Sequence, residues 1–134
     1  MNKKSAKYSR IGKRLISSLP DFETIRDANV RIAFLASDVE KKKDGRLVFA
    51  DCSKVNKARY DWTCPFDFFI TVYEPNILHF DDEQIEALLT HELLHVGINN
   101  EGIEPSFYVV PHDIEDFWLV LNKYGMNWQE DKNA

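Results

Sequence analysis

The segment His91-Glu92-Leu93-Leu94-His95 carries the clearest chemistry in this sequence. On a helix, residues four apart share one face, so the two imidazoles project side by side. Two ring nitrogens so placed can hold one zinc ion at roughly 2.0–2.1 Å. Glu92 follows the first histidine directly and can address a water on the metal without ligating it. Zinc lowers the pKa of such a water, and a carboxylate takes its proton as it attacks a carbonyl. The chemistry implied is hydrolysis of a peptide or other amide bond through a metal-bound water activated by a glutamate. In a chain of 134 residues the HExxH pattern arises by chance on the order of a few times in a thousand. Its bland rival is a pair of surface histidines on a structural helix.

A catalytic zinc usually takes three protein ligands and keeps one open position. The longer metzincin pattern needs a glycine at position 98 and a histidine at position 101, where this chain has Ile98 and Glu101. The third ligand is therefore sought among His112, Glu115, Glu101, Glu104 and Asp113, with His112 first and Glu115 next. His112 follows His95 by 17 residues and falls where a short strand meets the last helix. Asp113 and Asp116 can accept the second N–H of a metal-bound histidine, or simply complement a helix dipole. Tyr108, Tyr73 and Arg59 are candidates to stabilise an oxyanion. His79 reads as a surface residue.

These residues need elements to position them. Asp81 is a good N-cap, Gln84 stands at the capping-box position, and Asp82 and Glu83 suit the positive helix end. Phe80 and Ile85 can form a hydrophobic staple, and Ile85, Leu88, Leu89 and Val96 recur at helical spacing. The spacing predicts a helix reaching at least His95, ended by Gly97 or Asn99-Asn100. Upstream, a first helix is expected over Ala6 to Leu19, stopped by Pro20, with a further turn over Phe22 to Asp27. Strands are expected over Val30 to Ala36, Leu47 to Cys52 and Phe68 to Tyr73, with a short one over Ser106 to Val110. Asp44-Gly45 is the strongest hairpin cue, residues 53–66 read as a loop, and Pro75-Asn76 breaks the third strand. A last helix from about Pro111 to Tyr124 would end at Gly125. The layout is α+β, with helices packed on a small sheet. An exposed strand, with Phe68–Tyr73 the candidate, could take substrate as an added strand.

Hydrophobic residues make up 44% of the chain and charged ones 29%, enough for one sizeable core beneath a polar surface. No apolar run approaches the length of a membrane span, and the N-terminus lacks the pattern of a secretory signal. The expected location is cytoplasmic, that of the host if the chain is phage-encoded. The net charge of −5 is unevenly spread. Six of the 17 Lys and Arg lie in residues 1–14, which hold no acid, so the other 120 residues carry 11 bases against all 22 acids. Residues 1–20 read as a basic helical arm and 21–134 as the domain proper. The arm can contact nucleic acid, a membrane surface or a partner, but the solvated reading is preferred, and the acidic body argues against a broad nucleic-acid surface. Cys52 and Cys64 match no zinc or redox spacing and read as reduced thiols.

HELLHV, followed by HDIEDF and then Tyr124-Gly125, resembles the putative phage metallopeptidase family over about Phe22 to Trp128, with the basic arm outside. The resemblance implies a minimal zincin-like α+β domain: a small mixed sheet of three to four strands, an N-terminal helix, an active-site helix and a C-terminal helix. It implies His91, His95 and His112 as zinc ligands and Glu92 as the catalytic glutamate. The function expected is zinc-dependent hydrolysis of a peptide or protein substrate. The alternatives are a non-catalytic zincin-fold binding or regulatory module, against which Glu92 argues, and a zinc hydrolase of a non-peptide amide.

Overall fold

Two apolar runs of the chain become the two central strands of its main sheet. The computed structural model describes residues 2–56, 64–111, 117–125 and 127–129. Strands β2 (Ile32–Ser37) and β6 (Phe68–Tyr73) run parallel, with Ile32 opposite Phe68 and Ser37 opposite Tyr73. Strand alternation sends Phe68, Ile70 and Val72 to one face, where all three are fully buried. That face carries the helices. On the flanks, β1 (Asn2–Lys4) pairs antiparallel to β2, and β5 (Ala50–Lys54) pairs antiparallel to β6. The sheet order is β1-β2-β6-β5, a mixed sheet of four strands.

Helix α1 (Ala6–Ser18) is capped by Ser5, whose hydroxyl accepts the Tyr8 N–H at 3.2 Å. It lies on β2 and buries Tyr8, Gly12 and Leu15. Gly12 is required there, because a Cβ would sit 2.2 Å from the Phe34 ring. A 3-10 turn from Pro20 leads into α2 (Glu23–Asp27). Helix α3 (Asp82–Leu93) packs between α1, β5 and α4 (Trp118–Tyr124), so the sheet and its helical layer share one core.

This is the expected α+β class, but several elements differ from the sequence reading. Asp44 and Gly45 do make a tight turn, both at positive φ (52° and 77°), the geometry of a two-residue hairpin. The hairpin joins only β3 (Lys42–Lys43) to β4 (Arg46–Leu47), a separate ribbon, while the main-sheet strand starts at Ala50. Strand β1 was not expected, since three exposed polar residues carry no strand signal. Phe68–Tyr73 is paired on both sides and cannot accept a substrate strand. Among the described residues the main-sheet edge beside α3 is β5.

The largest correction concerns the end of the motif helix. Helix α3 stops at Leu93, and Val96–Asn99 form strand β7, paired antiparallel to β8 (Ser106–Val109). Val96 belongs to a strand although it falls at helical spacing. Gly97 ends up under the ring of its cross-strand partner Tyr108, which a Cβ would meet at 2.5 Å. The first part of the expected last helix, His112 to Asp116, lies outside the described residues. Gly125 follows α4 at φ 89°, as a helix-ending glycine does.

Candidate metal centre

Helix α3 begins with a complete capping box. The Asp81 carboxylate accepts the Gln84 N–H at 2.9 Å, and the Gln84 side-chain oxygen accepts the Asp81 N–H at 2.9 Å. From this fixed start the helix carries His91 and Glu92 in its last turn, both buried. His95 follows in the turn after Leu93, not on the helix itself. Its ring still reaches its partner: the imidazole centroids of His91 and His95 are 5.1 Å apart. Ligand atoms of His91, Glu92 and His95 all fall within 4.8 Å of one another. Glu92 Oε1 lies 3.8 Å from His91 Nε2.

The early helix end positions His95. Val110 N–H donates to the His95 carbonyl at 2.7 Å, and His95 Nδ1 meets the Val110 carbonyl at 2.6 Å. A carbonyl only accepts, so a neutral His95 carries its proton on Nδ1 and its lone pair on Nε2. That is the usual arrangement of a metal-bound histidine, with one nitrogen for the metal and the other donating to a fixed acceptor. Strands β7 and β8 thus act as a clamp on the second histidine.

Aromatic rings wall the site. Phe117 is buried and stands edge-on to both imidazoles, its centroid 5.3 Å from His91 and 4.9 Å from His95. Trp128 is 6.4 Å from the His91 ring, and its carbonyl accepts the Gln84 side-chain N–H at 3.0 Å. The capping residue of α3 therefore also ties down the turn that carries Trp128. Cys52 on β5 faces the same region: burial first, then the charges of Glu92 and Asp51, push its thiol far above its ordinary range. It remains a neutral thiol, and both cysteines are unbridged.

Among the described residues no other acid joins the group. Glu101 and Glu104 sit in the loop joining β7 to β8, at the far end of the ribbon from His95. Tyr73 lies on the sheet face away from α3, where its hydroxyl donates to Asp51 at 2.7 Å, which removes it as an oxyanion donor. Tyr108 lies over Gly97. His79, with its Nε2 3.2 Å from the Gln129 carbonyl, is outside the site. His112, Asp113, Glu115, Asp116 and Arg59 fall outside the described residues. Sequence reasoning missed Val110, Phe117 and Trp128. The apolar position of Phe117 in HDIEDF was the available signal, whereas Val110 acts through its backbone carbonyl.

The fold and the site together define an α+β domain with a partly buried HExxH histidine pair, the donor set of a metal-dependent hydrolase. The chain belongs to the family described as "Putative phage metallopeptidase", whose model matches residues 2–134. The match includes α1 and the basic N-terminal residues, a wider span than Phe22 to Trp128. No curated protein and no solved structure matches it.

Proposed function

We propose that this chain is a zinc-dependent peptidase in which His91, His95 and His112 hold the metal and Glu92 is the general base. The observation that carries the reading is the paired contact of His95 with Val110, which supports Nε2 as the ligand atom beside His91 and Glu92. Two imidazoles with a buried carboxylate beside them suit zinc. His112 is supported by the chain on either side of it. Val110 holds the His95 ring, and Phe117 packs against both imidazoles, so the short connection between them starts and ends at the site.

When bound, zinc supplies an acidified water and a Lewis acid for the substrate carbonyl. Glu92 accepts the proton of the attacking water and returns it to the leaving amine. Its burial keeps that proton from exchanging freely with solvent. Phe117 and Trp128 exclude water from one side of the imidazole pair, which strengthens the electrostatics within. The edge strand β5 offers a peptide the backbone groups for an added strand. Among the described residues no helix is long and apolar enough to cross a membrane.

The test is Glu92→Gln in zinc-loaded protein, read on a mixed peptide library by mass spectrometry. The variant is expected to keep its zinc and lose cleavage by about 100-fold or more. Cleavage at the wild-type rate would remove Glu92 as the base. A wild type that holds zinc, spares peptides and cuts simple amides would move the substrate class.

A further inference from the structure

A groove of about 590 Å³ lies between α1 and the start of β2, at the sheet edge opposite β5. A smaller one of about 230 Å³ continues it along α1, sharing Lys13, Ile16 and Val30. Neither is lined by an aspartate or a glutamate, in a chain whose residues 15–134 carry twice as many acids as bases. Two of the cations are already engaged: Arg31 pairs with Asp67 at 3.2 Å, and Arg26 donates to the carbonyls of Ile16 and Leu19. Lys4 and Lys13 are exposed and have no carboxylate partner among the described residues. Lys4 Nζ stands 4.8 Å from the Phe66 ring, at the wall of the groove.

The floor carries a second signal. Strand β1 covers β2 only from Leu35 to Ser37, and its last bond on that edge is Ser5 N–H to the Phe34 carbonyl at 2.8 Å. Alternate residues of a strand present N–H and C=O to the same side. Phe34 faces outward at this edge, so Ile32 does too, whereas the Arg31 carbonyl turns inward to the Asp67 and Phe68 N–H groups. Among the described residues no strand pairs with the outer edge of β2 at Ile32, and this edge lines the groove.

We infer that this groove docks an extended acidic peptide segment of a partner protein, which adds as a strand beyond the end of β1. The edge at Ile32 supplies the backbone bonds, and the partly buried Ile16 and Val30 take an apolar side chain. Lys4 and Lys13 meet its carboxylates. A peptide fits better than a nucleic acid, because a strand edge bonds a peptide backbone and the partly buried Ile16 and Val30 line the groove. The inference stands apart from the peptidase reading.

The test uses the full chain carrying Glu92→Gln, so that docking is read without turnover. The probe is the fluorescein-labelled peptide Asp-Glu-Leu-Glu-Asp, followed by anisotropy, with an oligothymidylate and phosphatidylglycerol vesicles in parallel. Saturable peptide binding is expected, weakened about fivefold by Lys13→Glu and likewise by Lys4→Glu, with circular dichroism unchanged. N-methylation of the leucine and of its neighbours in turn should abolish binding in one register and spare it in the other. The Ile32 amide should shift in the NMR spectrum on titration. Absence of saturable binding, equal tolerance of both methylation registers, or tighter binding of the oligonucleotide or the vesicles would each overturn the inference.

Discussion

Replacing Gln84 by alanine tests how the motif helix is anchored. Gln84 is only 2% exposed, and its side chain accepts from Asp81 N–H and donates to the Trp128 carbonyl. The Asp81 end is exposed, so water replaces the first bond and the net loss is about 1 kcal/mol. The Trp128 bond is buried, and stripping the carbonyl of that donor costs about 2 kcal/mol more. Gln84→Ala should therefore lose about 3 kcal/mol of unfolding free energy and roughly 10 °C of Tm. Asp81→Ala, which removes the N-cap oxygen, should lose about 1 kcal/mol. Urea titrations followed at 222 nm, with chelator present to remove stabilisation by bound metal, measure both. Equal losses in the two variants would refute the claim that Gln84 joins the helix start to the Trp128 turn.

Gly12→Ala should destabilise by about 1–3 kcal/mol despite a helix propensity gain of about 1 kcal/mol, because the Cβ meets the Phe34 ring; urea titration decides the sign. Gly97→Val should weaken zinc affinity about tenfold by displacing Tyr108 and loosening the strand pair that holds His95, and Tyr108→Ala should restore part of it. Tyr8 is raised far above its ordinary pKa by burial, helped by its hydrogen bond to Glu74 at 2.8 Å and by that carboxylate's charge. The unfolded chain loses this proton near pH 10 while the folded chain keeps it, so its contribution is full below about pH 10 and falls as pH rises. Tyr8→Phe should flatten that alkaline loss in denaturation series run at increasing pH.

Local signals in the sequence predicted the elements whose causes are local. The capping box at Asp81 and Gln84, the Asp44-Gly45 turn and the strand Phe68–Tyr73 all appear as expected. Tertiary causes were hidden. Val96 falls at helical spacing, yet pairing with Val109 draws it into β7 and ends the helix before His95. The polar Asn2–Lys4 becomes a strand only because β2 offers it an edge. At the centre, the sequence shows the histidine pair and the glutamate, since their spacing is itself the chemistry. The Val110 carbonyl leaves no trace in residue identity, because any residue would present the same backbone group.

Metal content by mass spectrometry, measured on wild type and on His91→Ala, His95→Ala and His112→Ala, tests the central claim most directly. One zinc per chain in wild type, lost or sharply weakened in each of the three variants, is the result predicted. Zinc retained in His112→Ala would move the third ligand to an acid, with Glu115 next. A wild type that takes up no metal even when zinc is added back would contradict the account.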